Sequence, residues 1–174
     1  MVFHLVAIAT FRVSLNATTV VAAFPALRAE FSGSLSTTLS WVINALHHHH
    51  CCFAGACRAA RRFAGPQAFF LQGLTLFLLG SLLCGLVPNA AALIAARIVQ
   101  TLGAALLTPA SLALVLQAFP KDKRAIAVSL WSVVGALAAA VGSAVGSLVI
   151  ELASWRWAFL INLPVSSIPW WLAR

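Results

Sequence analysis

Five stretches of this chain are as long as a membrane crossing and nearly free of charge: Val2–Leu27, Ala68–Val87, Ala90–Ala118, Ile126–Ile150 and Trp155–Ala173. A helix needs about 20 mostly apolar residues to cross a hydrocarbon core roughly 30 Å thick, so runs of this length restrict the fold to one embedded in a lipid bilayer. The runs are continuous and lack period-2 alternation, which predicts helices and not barrel strands. A sixth stretch, Leu39–Cys57, has the length but is interrupted by His47–His50. Only 8% of the residues are charged and 62% are hydrophobic, whereas a soluble domain carries about 25% charged residues. Breaker chemistry separates the runs, as in Val87-Pro88-Asn89 and Phe119-Pro120. The expectation is an all-α membrane protein: a six-helix transmembrane bundle forming one domain over residues 1–174. The first run has no basic leader and no small-residue cleavage site, so it reads as a retained span and not as a secretory signal.

Charge placement predicts the orientation. With six spans, Arg58, Arg61, Arg62, Lys121, Lys123, Arg124 and Arg174 fall on one side, and only Arg28 and Arg156 on the other. The positive-inside rule then puts both termini in the cytoplasm. The net charge of +8 reflects this topology, and basic residues confined to short loops argue against nucleic acid as a partner.

Arg12 and Arg97 lie inside the apolar runs, and an ionisable group within a span suggests function by default. Arg97, Gln100, Thr101, Thr108 and Ser111 follow i, i+3, i+4, i+11, i+14 spacing, a polar stripe on an otherwise apolar helix. Such a stripe faces a water-filled cavity or another helix. The alternative is that Arg97 snorkels to the interface while the hydroxyls bond their own backbone. Arg12, Asn16 and Thr19 make a weaker stripe at i, i+4, i+7 on the first run. Asn16-Ala17-Thr18 matches a glycosylation sequon, but its membrane depth makes the match accidental. Gly135, Gly142 and Gly146 recur on the fifth span, where small residues let helix backbones approach closely. Trp155, Trp157, Trp170 and Trp171 bracket the last run as an aromatic belt. The acids are Glu30, Asp122 and Glu151, each near a membrane surface. They form no catalytic pair, and no glycine-rich phosphate loop is present. Neither an enzyme activity nor a cofactor is expected.

Several motifs in order resemble one family. Arg97-Ile-Val-Gln100-Thr-Leu-Gly103-Ala-Ala is similar to the R-x-x-Q-G-x-G-A-A pattern of the fourth span of drug:proton antiporters of the major facilitator superfamily. Trp155-Arg156-Trp157-Ala-Phe159-Leu-Ile-Asn162-Leu-Pro164 resembles the start of their sixth span, and Trp41-Val42-Ile-Asn44-Ala45 the opening of their second. Phe119-Pro120 followed by Arg124 resembles their four–five loop. The fourteen-span EmrB/QacA-like branch is the nearest in pattern. The resemblance implies a bacterial plasma (inner) membrane transporter exchanging protons for amphipathic small-molecule drugs. Arg97, Gln100, Asn16 and Thr108 would belong to the proton-coupling or substrate cavity, and Gly135, Gly142 and Gly146 to the antiporter packing motif. Some positions depart from the family. Its first-span L-D-x-T reads Leu15-Asn16-Ala17-Thr18, so an amide that cannot titrate replaces a carboxylate. Its G-P-x-x-G-G reads Gly142-Ser143-Ala144-Val145-Gly146-Ser147, and Thr101 replaces the glycine after Gln100. The chain matches the N-terminal half only, so a truncated, transport-inactive half lacking its C-terminal partner is expected.

His47, His48, Cys51 and Cys52 invite a different reading, a small membrane protein binding zinc or copper, since His47/Cys51 and His48/Cys52 share helix faces. A frame slip is the competing explanation. Leu46–Cys52 can be encoded so that reading one base later gives Tyr-Thr-Ile-Ile-Ile-Ala, a family-like second span. Ala56–Arg62 can likewise be encoded to give Pro-Ala-Gly-Arg-Leu-Ala, the loop motif otherwise missing between Leu46 and Gln67. A translated but non-functional gene remnant is the third reading.

Overall fold

Breakers set the helix boundaries. In the computed structural model, which describes residues 2–30, 65 and 67–160, the helices are α1 (Val2–Glu30), α2 (Gln67–Leu86), α3 (Ala90–Ala118), α4 (Arg124–Leu152) and the short α5 (Trp157–Leu160). Asn89 starts α3 by accepting a hydrogen bond on its side-chain oxygen from the Ala92 amide at 2.8 Å, satisfying one of the unpaired donors of the first turn. Pro120 ends it, because a residue before proline is pushed out of the helical region. Phe119 accordingly has φ −115° and ψ 141°. A single 3₁₀ turn, Lys121–Lys123, then leads into α4.

The described residues contain four helices long and apolar enough to cross a membrane, ending with α4. Three of them have 29 residues each, about 43 Å at 1.5 Å per residue and longer than the hydrocarbon core. The first, fourth and fifth expected spans fit inside these three. The first extends past Leu27 to Glu30, the third is shifted by one residue, and the fifth gains Arg124 and Glu151 at its ends. Their charged termini can therefore sit in the headgroup region. The interrupted stretch 39–57, with its histidines and cysteines, lies outside the described residues. So do residues 161–173 of the last expected span, whose described part, 155–160, includes α5.

The helices bury two apolar clusters, one toward each end of the bundle. Val6 and Ala9 of α1, Phe70, Leu74 and Phe77 of α2, Ala104, Leu107 and Leu114 of α3 and Ala127 of α4 form the first. Val20, Ala23 and Leu27 of α1, Cys84 of α2 and Leu93 and Ala96 of α3 form the second, closed by Trp155 and Phe159. α1 and α2 thus both run from the first cluster to the second, while α3 runs back. At the second end an exposed ion pair between Arg156 and Glu30 (3.4 Å) joins the tip of α1 to the turn before α5.

Glycines set how closely the helices approach. A Cβ at Gly80 of α2 would stand 2.5 Å from the Gln100 Cα, and one at Gly103 of α3 would run into the Phe77 backbone. α4 packs on α1 in the same way. A Cβ at Gly146 would meet the Thr19 Cα at 2.9 Å, and Thr19 Oγ1 donates to the Gly142 carbonyl at 3.0 Å. The opposite face of α4 exposes Leu130, Val133, Leu137, Val141 and Leu148, a surface suited to lipid chains.

Candidate functional site

Between the two apolar clusters lies one polar layer. On α1, Arg12 and Asn16 fall between Ala9 and Val20; on α2, Ser81 falls between Phe77 and Cys84; on α3, Arg97, Gln100 and Thr101 fall between Ala96 and Ala104. Arg97, Asn16 and Gln100 are each 1% exposed, and Arg12 is 3% exposed. Arg97 therefore does not snorkel to the interface.

The layer is cross-linked through Arg97. Its Nη1 donates to Asn16 Oδ1 at 3.0 Å, tying α3 to α1, and also to Gln100 Oε1 one turn along α3. Gln100 Nε2 donates to Ser81 Oγ at 2.6 Å and so links α2. The Cys84 thiol points at Gln100 Oε1 from 3.9 Å. The Arg97 guanidinium also lies 5.6 Å from the Phe159 ring centroid, within cation–π range. A central arginine costs about 2.5–3.5 kcal/mol on insertion scales. Interhelical hydrogen bonds in a bilayer return about 0.6 kcal/mol each, up to about 1.7, and a desolvated cation–π contact about 2. For Arg97 these terms nearly cancel.

For Arg12 they do not. Neither Nη1 nor Nη2 of its buried guanidinium has a hydrogen-bond partner among the described residues, and Asn16 Nδ2 is likewise unpartnered.

The stripe on α3 changes character along its length. Arg97 and Gln100 join the interhelical network, but Thr101, Thr108 and Ser111 donate to the carbonyls of Ile98, Ala104 and Thr108 on their own helix. Thr108 and Ser111 also line a cavity of about 260 Å³ with Thr10 and Ser14 of α1 and Trp131, Ser132 and Gly135 of α4. Trp131 Nε1 donates to Thr10 Oγ1 across it at 2.7 Å. Gly135 belongs to this cavity, whereas Gly142 and Gly146 sit at the tight α1–α4 contact; a Cβ at Gly135 would come no nearer than 3.5 Å to Ser14 Oγ. Asn16, Arg97 and Gln100 are thus brought together, and Thr108 and Gly135 face a separate space. Spacing alone singles out neither Ser81 nor Phe159. The adjacent Gly80-Ser81 pair in an otherwise apolar span was the available signal for the former.

Comparison with known proteins gives the arrangement a family. A model of the Major Facilitator Superfamily matches residues 6–173. An uncharacterised MFS-type transporter of Mycobacterium tuberculosis is 37% identical over 91% of this chain and 27% of its own length. The methylenomycin A resistance protein of Streptomyces coelicolor is 39% identical over 78% of the chain and 29% of its own. The multidrug resistance protein Stp of Mycobacterium tuberculosis is 34% identical over 91% and 29%. The chain therefore spans less than a third of the length of these relatives. It belongs to the major facilitator superfamily of membrane transporters.

Proposed function

We propose that the chain supplies the N-terminal, six-helix wall of a proton-coupled multidrug efflux transporter in a bacterial plasma membrane, with its termini cytoplasmic. The observation that carries this reading is the Arg97 bridge from α3 to Asn16 of α1, buried between two apolar clusters. A cation held at that depth by neutral acceptors can exchange partners as helices shift, which is what alternating access requires of a mid-membrane site. The names of two relatives, which concern methylenomycin A and multidrug resistance, support an amphipathic small-molecule drug as cargo. Parallel α1 and α2 support the count of six, since the chain has to return between them. Arg97 acts as the fixed charge of the layer, Gln100 and Asn16 as its exchangeable partners, and Thr108 as part of the drug-facing cavity. With Asn16 where a carboxylate could titrate, the proton-carrying acid lies in the remaining length of the transporter.

The test is efflux in a drug-hypersensitive host, using a panel of cationic, neutral and anionic amphipathic drugs. Cells expressing this chain alone are expected to show no export. Cells that also carry the remaining length of Stp are expected to export at least one drug, with export abolished by a protonophore and lost on Arg97→Gln. Protonophore-insensitive export, export by the chain alone, or export unaffected by Arg97→Gln contradicts the proposal.

A further inference from the structure

We propose that Arg12, Asn16 and Arg97 form a membrane-buried site for the carboxylate of a small amphipathic anion. The inference goes beyond the transport reading, because binding at this site is measured without transport.

The argument starts from charge. Two guanidiniums stand in one buried layer, and arginine keeps its charge at any physiological pH. The only side-chain carboxylates in the whole sequence are those of Glu30, Asp122 and Glu151. Glu30 and Glu151 lie in the last turns of α1 and α4, and Asp122 lies in the turn between α3 and α4. Arg12 stands about 15 Å along α1 from Val2 and about 27 Å from Glu30, at 1.5 Å per residue. None of the acidic side chains of this chain therefore lies at the depth of the layer. This holds for the residues beyond the described ones as well, which contain neither Asp nor Glu.

The hydrogen bonding has the same imbalance. Arg97 is met by two neutral acceptors, Asn16 Oδ1 and Gln100 Oε1. Arg12 Nη1 and Nη2 and Asn16 Nδ2 remain as buried donors with no acceptor among the described residues. Arg12 and Asn16 are one helical turn apart, so these donors share one face of α1. Two parallel guanidinium N–H groups with an amide N–H beside them match a carboxylate, which accepts through two oxygens. The cavity lined by Thr10, Ser14 and Thr108 offers hydroxyls and apolar surface but no charge, so recognition of an anion falls to the layer. The occupant has to be amphipathic, because it reaches a group that is 3% exposed inside an apolar bundle.

The test uses the purified chain in phosphatidylcholine nanodiscs with radiolabelled benzoate as the probe and benzamide as its neutral isostere. Saturable benzoate binding is expected, displaced neither by benzamide nor by adding phosphatidylglycerol to the disc. Arg12→Met is expected to weaken it by about tenfold or more, the loss of a charge-assisted hydrogen-bonded pair. Asn16→Asp, which presents an internal carboxylate to the same donors, is expected to abolish it while circular dichroism shows the helices intact. The proposal is overturned by the absence of saturable binding, by binding retained in either variant, or by displacement with phosphatidylglycerol, which would assign the site to a lipid headgroup.

Discussion

Arg12→Met is expected to raise the unfolding free energy of the chain by about 2–3 kcal/mol, the insertion penalty of a central arginine. The sign runs against the usual effect of substitutions in a well-packed interior, most of which destabilise. It follows from the partners. Removing a charged group is destabilising when it leaves another group unpaired, and Arg12 has no hydrogen-bond partner among the described residues to leave behind. Methionine keeps the unbranched stem and much of its packing against α1's buried neighbours, while the desolvated charge disappears. The change can be measured from tryptophan fluorescence during denaturation in detergent, with anion-free buffers so that no ligand stabilises the parent chain. A variant less stable than the parent would mean that Arg12 is held by a favourable contact. A gain in stability with a loss of anion binding would mark Arg12 as a residue kept for recognition and not for the fold.

The second large effect is expected at the α2–α3 contact. Gly103→Val is expected to lower stability by about 3 kcal/mol or more, at or beyond the upper end of ordinary overpacking. A side chain there meets backbone: its Cβ would stand 2.8 Å from both the Phe77 Cα and the Gly73 carbonyl oxygen. No rotamer change relieves such a clash, so the two helices have to move apart. That separation also pulls Gln100 away from Ser81, because Gly80 presses on the Gln100 backbone in the same interface. Apolar attraction between helices is weak in a bilayer, where lipid chains are as apolar as leucine, so close packing has to hold them. Gly135→Ala is the control. Its Cβ would face the cavity at an ordinary 3.5 Å, and a change within about 0.5 kcal/mol is expected. Equal destabilisation by the two substitutions would mean that the glycine contacts do not set the helix spacing.

Much of the fold could be read from the sequence, because length and apolarity alone specify a crossing and Pro88, Asn89 and Pro120 mark where crossings end. Periodicity also placed Arg97 with Gln100, and Arg12 with Asn16, since helical spacing assigns residues to a face. It carries no information about which face of one helix meets which face of another. The Arg97–Asn16 and Gln100–Ser81 bonds depend on that interhelical register, and so did not emerge from spacing. For the same reason spacing presents the α3 stripe as one surface, while in the structure Arg97 bonds to α1 and Thr108 faces a cavity. The small-residue pattern on α4 was legible as packing, but the separate roles of Gly135 and Gly142 depend on how near each lies to α1. Phe159 beside Arg97 is a long-range contact with no local signature.

A polar layer that is cationic and short of acceptors is the central feature of this protein, and Asn16→Asp tests it most directly. The substitution keeps an oxygen where Asn16 Oδ1 accepts from Arg97 at 3.0 Å and adds one negative charge to a layer holding two positive ones. If the layer is as described, the new carboxylate gains charge-assisted hydrogen bonds from Arg97 and Arg12, and the unfolding free energy at neutral pH rises by about 1–3 kcal/mol. A fall of similar size, the ordinary result of placing an acid in an apolar interior, would contradict the account.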